Sequence, residues 1–126
     1  MGINLLLIAL GGSIGSVFRF LLSVFITDKT GLTFPVGTLV INVIGSFLAG
    51  FVFSLIMHKF KVYSMELHAL LLVGFLGGFT TFSTFSLETI TLIDNHHYGI
   101  AILNVVSSII LGLSAAFLGI FLEKFV

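Results

Sequence analysis

Charge is what this 126-residue chain most lacks: five Lys and Arg and five Asp and Glu, 8% of its residues, against 58% that are hydrophobic. A soluble domain typically carries about 25% charged residues, so these few could not cover a soluble surface. The shortage excludes a soluble enzyme, a nucleic-acid binder and a disordered protein, and a net charge of zero offers nothing to a polyanion. Cysteine is absent, which removes disulfide frameworks, thiolate metal sites and thiol redox chemistry. Tryptophan is absent too, and there is a single proline. No Walker loop, nucleophile elbow or zinc motif is present. What remains is an integral membrane protein.

The few charges punctuate the chain. Uncharged runs lie between them, and spanning a bilayer takes roughly 20 apolar residues as helix. Four transmembrane helices are predicted, near 3–26, 34–58, 66–94 and 98–123, forming one membrane domain over 1–126. A β-barrel would need alternating segments of about ten residues, which these runs are not. Helices are the remaining way to pair every backbone group in lipid. The N-terminal stretch has neither a basic n-region nor a small-x-small cleavage site, and reads as an uncleaved first span. With four spans, Lys59, Lys61 and Lys124 share one side; the other has Lys29, joined by Arg19 if that side chain snorkels to the interface. That weak positive-inside bias favours termini inside but permits insertion both ways. The four histidines fall at loop positions and read as interfacial residues.

Small residues recur four apart on every predicted helix: Gly11 and Gly15, Gly45 and Ala49, Gly74 and Gly78, then Ser108, Gly112 and Ala116. Such rows let helix backbones approach closely, so a compact bundle is expected. Four short helices enclose little space, and a pathway would need a second subunit.

Polar residues inside the spans are the candidates for function. Gly77-Gly78 followed by Thr80-Thr81 is poor helix material, and predicts a break near 77–81. Non-helical backbone at membrane depth survives only against protein or a water-filled cavity, where freed carbonyls can coordinate a cation. Beyond the break, Phe82 and Phe85 share a helical face with Phe79 and Phe75, and Ser83, Thr84 and Ser86 place hydroxyls beside them. Such a stripe either packs against lipid and core or lines a pore. In a pore, positive ring edges and hydroxyl protons would meet an anion without trapping it. Thr38 and Asn42 lie four apart on one face of the second helix; the Asn42 amide either bonds a neighbouring helix or donates to a ligand. Asn104 and Ser107 or Ser108 offer the same two readings, with Ser108 counted among the candidate pore residues. Arg19 is an interfacial anchor or draws anions to an entrance. Glu88, one turn past the hydroxyl segment, is a functional candidate as an intramembrane carboxylate.

Three blocks then carry a resemblance: Gly12-x-x-Gly15-x-x-x-Arg19, Gly37-Thr38-Leu39-x-x-Asn42-x-x-Gly45-Ser46-Phe47, and Gly77-Gly78-Phe79-Thr80-Thr81-Phe82-Ser83-Thr84-Phe85-Ser86. Together they resemble the Fluc (CrcB-type) fluoride channels over essentially the whole chain. The resemblance implies a dual-topology, antiparallel homodimer with two fluoride pores and a central structural sodium ion; some bacteria pair two family members instead. It implies that the backbone carbonyls of Gly77 and Thr80 hold the sodium. It places the edges of Phe82 and Phe85 on fluoride, with Asn42 as the pore asparagine. Thr38, Ser83, Thr84 and Glu88 match a polar track, and Arg19 a vestibule arginine. Asn104 stands where many members carry tyrosine. The function implied is passive export of fluoride from a bacterial cytoplasm. A proton-coupled exporter of similar size is the rival, although such proteins use a carboxylate in the first helix and residues 2–18 hold none.

Overall fold

The computed structural model describes residues 1–126 as an all-helical chain with four long apolar spans. The first, α1 (Gly2–Thr30), ends where Gly31 turns left-handed at φ 55° and returns its N–H to the Thr27 carbonyl. Pro35 then precedes α2 (Val36–Lys59), a position where its missing N–H costs no helical bond. The third span (Lys61–Asp94) is joined from pieces. A 3₁₀ turn (Lys61–Tyr63) leads into α3 (Ser64–Leu67), a stretch wound i→i+5 (His68–Leu76), the single turn α4 (Gly77–Phe79) and, past an extended pair, α5 (Phe82–Asp94). A tight turn with His96 at φ 61° delivers the chain to α6 (Tyr98–Glu123).

Helix ends differ from those expected at two places. The first helix continues past residue 26 to Thr30, and the third span is helical from Lys61 instead of 66. Charged residues mark where hydrocarbon ends, while the hydrogen-bond ladder continues into the polar zone. For the same reason Arg19 does not sit at the end of its helix. Eleven more residues of α1 follow it, about 16 Å of rise.

Glycine sets how the spans pack. A methyl added at Gly11 would strike the Leu70 carbonyl, and one at Gly78 would lie 2.6 Å from the Gly12 carbonyl. The backbones of α1 and the first half of the third span therefore touch directly. The α2–α6 pair is the largest interface and works likewise, with Gly50 against Ala116 and Gly119 against Phe47. Only 19 of the 126 residues are buried, so most of the apolar surface faces outward, as a bilayer solvent requires.

The membrane-end of the α2–α6 pair is pinned by a polar cluster that the sequence reading did not anticipate. Glu123 is 2% exposed; Ser54 Oγ donates to its Oε2 at 2.8 Å, and His58 Nδ1 lies 2.9 Å from the same oxygen. His58 is thus a partner of a buried carboxylate, although its ring is largely exposed.

Candidate functional site

The third span breaks at Thr80 and Thr81, within the predicted window, but the glycines are not where it opens. Gly77 keeps helical angles (φ −63°, ψ −36°), whereas Thr80 (−81°, 158°) and Thr81 (−150°, 116°) are extended. Two side chains hold that conformation. Asn42 on α2 accepts from the Thr81 N–H at 2.8 Å and donates through Nδ2 to the Thr81 carbonyl at 3.0 Å. The Thr81 hydroxyl caps α5, accepting from the Thr84 N–H at 3.2 Å and donating to Thr84 Oγ1 at 3.0 Å.

These bonds redirect the backbone. In an uninterrupted helix the Gly77 carbonyl would receive the Thr81 N–H and the Thr80 carbonyl the Thr84 N–H. Both donors are diverted, so both carbonyls lose their helical partners. Gly77 and Thr80 border one open concavity of about 360 Å³ together with Asn42, Ser46 and Phe82. Two unpaired carbonyls at a discontinuous helix are donors of the kind that coordinate Na⁺, so the expected ligands fit a sodium ion chemically. Two oxygens are too few to enclose one.

One turn back along the same face of α2, from Asn42 to Thr38, hydroxyls gather around two adjoining cavities. One, of about 220 Å³, brings Arg19 together with Ser16, Ser23, Thr38, Thr81 and Thr84. The other, of about 390 Å³, lies between α1, the 31–35 loop, α2 and α5, and contains Glu88. Ser23, Thr38 and Thr84 line both, so a hydroxyl-lined path runs from the loop end of the bundle to the break. Thr38, 5% exposed, donates to Glu88 Oε1 at 2.8 Å, while Glu88 Oε2 is buried without a hydrogen-bond partner. The shared face of Thr38 and Asn42 thus makes both cross-links from α2 to the third span.

The remaining candidates lie elsewhere. Phe82 is 79% exposed and Phe85 half-buried; their rings sit 5.5 Å apart at 44°, and neither lines the two polar cavities. Ser83 is exposed beside them. Ser108 is half-buried on α6 and lines neither polar cavity. Asn104, 1% exposed, donates to Thr89 Oγ1 at 2.9 Å and so ties α6 to α5.

Four hydroxyls of α1 that line these cavities went unremarked in the sequence, although the signal was there. Ser16, Ser23, Thr27 and Thr30 recur with Arg19 every three or four residues along α1, a polar stripe on one face of an apolar helix. Thr84, Glu88 and Thr91 do the same on α5.

Apolar spans, a third span opened by side-chain hydrogen bonds, and polar cavities beside the opening define a small multi-pass membrane protein with a discontinuous-helix site. Comparison with known proteins assigns it more narrowly. Residues 6–120 match the family model described as CrcB-like protein, Camphor Resistance (CrcB), and the chain belongs to this family. A protein of Shewanella putrefaciens called "Fluoride-specific ion channel FluC" is 52% identical over 116 residues, 92% of each chain. One of the same description from Shewanella baltica is 50% identical over the same coverage.

Proposed function

We propose that this chain is a fluoride-specific ion channel of the bacterial cell membrane, exporting fluoride passively and electrogenically, and that it works as an antiparallel, dual-topology dimer of itself. Two relatives named for that activity, at about half identity over nearly the whole chain, support the substrate. The observation that carries the assembly is the exposed Phe82 ring beside the freed Gly77 and Thr80 carbonyls. An aromatic edge and a half-built cation site on one open face both need a second copy to become a pore wall and a complete shell.

Fluoride is small and strongly hydrated, so a pore must replace its water with donors at short range. In this reading the anion enters past Arg19 or Glu88, exchanges water for the hydroxyls of Ser23, Thr38 and Thr84, and passes the ring edges of Phe82 and Phe85. Asn42 adds an amide N–H, Ser83 a hydroxyl, and Ser108 a further donor from α6. Neutral donors hold the ion without trapping it, and a narrow bore turns away chloride. The Gly77 and Thr80 carbonyls of both copies would hold a sodium ion, which would supply a fixed positive centre between the two broken spans.

Fluoride efflux from liposomes, read by electrode with chloride as control, tests this directly. Selective, electrogenic loss is expected, with Phe82→Ile and Phe85→Ile cutting flux sharply while the dimer stays assembled. Wild-type flux in both folded variants would refute the aromatic pore. Activity that appears only with a paired homologue would refute the homodimer, and stoichiometric proton coupling would refute the channel.

A further inference from the structure

We infer that Asn42 is a positioning residue: its side chain occupies both backbone groups of Thr81 and thereby sets the two freed carbonyls of the third span. This rests on the sodium reading above and deepens it.

The geometry is that of a β-ladder pair. Thr81 exchanges an N–H···O bond and a C=O···H–N bond with one planar amide, at 2.8 and 3.0 Å, much as two strand residues would exchange them. Among single side chains only a carboxamide offers a donor and an acceptor side by side without having to keep a titratable proton. Without it, an extended residue in a span would leave two polar backbone groups bare, and the chain would recover them by winding back into helix. That return would give the Thr81 N–H to the Gly77 carbonyl and remove one of the cation's donors. The fixed point is rigid because α2 is held from both sides. Ile41, adjacent to Asn42, is 1% exposed, and Gly45, one turn on, rests against the Thr80 methyl. One hydrogen of Nδ2 remains after the clamp is made, so the same amide can serve the pore. Asn42 therefore joins the cation site to the anion path through a single residue.

The test compares wild type with Asn42→Ala and Asn42→Asp by two readouts. The first is hydrogen exchange at the Thr81 amide in the intact protein in detergent with sodium. The second is the sodium concentration giving half-maximal fluoride efflux, with N-methylglucamine as the replacing cation. In wild type the Thr81 amide should exchange as slowly as its helical neighbours although it is not helical. In Asn42→Ala the half-maximal sodium concentration should rise about tenfold or more, the loss expected for a buried hydrogen-bonded group. Asn42→Asp, assayed at a pH high enough to ionise it, keeps the acceptor for the Thr81 N–H but faces its carbonyl with a second oxygen, so it should retain amide protection yet still raise the sodium requirement. Flux loss with an unchanged sodium requirement would make Asn42 a pore donor only and overturn the proposal. So would a wild-type Thr81 amide exchanging as fast as those of the 31–33 loop, a result that needs no variant to fold. Sodium-independent flux in wild type would instead overturn the sodium reading, with Thr81 protection still deciding the clamp.

Discussion

Gly45 offers the sharpest test of how tightly the break is packed. An alanine there would overlap the Cγ2 methyl of Thr80, with Phe79 Cδ1 next at 3.3 Å. Thr80 cannot swing aside freely, because its hydroxyl and its N–H both donate to the Leu76 carbonyl at 2.9 Å. Adding a methyl to a filled site costs about 1–3 kcal/mol, and an overlap this deep belongs in the upper part of that range, about 2–3 kcal/mol; glycine to alanine in a helix returns at most about 1 kcal/mol, so the clash wins by about 1–2 kcal/mol. Thr80→Ser removes only the offending methyl and keeps the hydroxyl. Alone it should cost about 0.5–1.5 kcal/mol, the usual range for deleting one buried methyl. In combination with Gly45→Ala it should restore most of the lost stability, a coupling of about 1–2 kcal/mol between touching residues. Thermal unfolding of the purified protein gives the energies, and fluoride efflux reports whether the break has recovered its shape. A Gly45→Ala protein with wild-type stability and flux would refute the packing argument. So would a double variant no better than the single one.

Two further outcomes follow from the same geometry. Thr38→Val keeps the shape but strips Glu88 Oε1 of its donor, leaving both carboxylate oxygens bare; stability should fall by about 1.5–3 kcal/mol, with Thr38→Ser close to wild type in a thermal melt. Asn104→Leu gives up one bond to Thr89, worth about 0.6 kcal/mol for polar contacts between membrane helices, and efflux should stay near wild type. Lost fluoride selectivity in that variant would show that Asn104 meets the ion itself.

Four spans could be read from the spacing of charge alone, because lipid allows no other backbone solution for such runs. The break could be placed from Gly77-Gly78 and Thr80-Thr81, yet which residues left the helix could not. Local propensity points to glycine. The decision came from Asn42, 39 positions away, and from the capping hydroxyl of Thr81. The Thr38–Glu88 bond spans 50 positions and the Ser54–Glu123 bond 69, so neither partner's sequence neighbourhood announces the other. Nothing in the apolar stretch from His68 to Leu76 distinguishes i→i+5 winding from the ordinary ladder. The α1 stripe is a different case. Its period was present in plain view, masked by the hydrophobic residues between its members.

That stripe bears on how the protein reaches the bilayer. Fifteen of the residues in α1 are Leu, Ile, Val or Phe. At mid-bilayer each favours insertion by about 0.3–0.6 kcal/mol, against about 3 kcal/mol for an arginine. The balance lets α1 leave the translocon as a lone helix with Arg19 already in place, before any partner helix has been synthesised. Its hydroxyls and guanidinium then wait in lipid until α2 and α5 arrive to enclose them. The polar cavities exist only where these helices meet, so the wet part of the molecule requires spans that are each apolar enough to enter the bilayer despite the polar residues they carry.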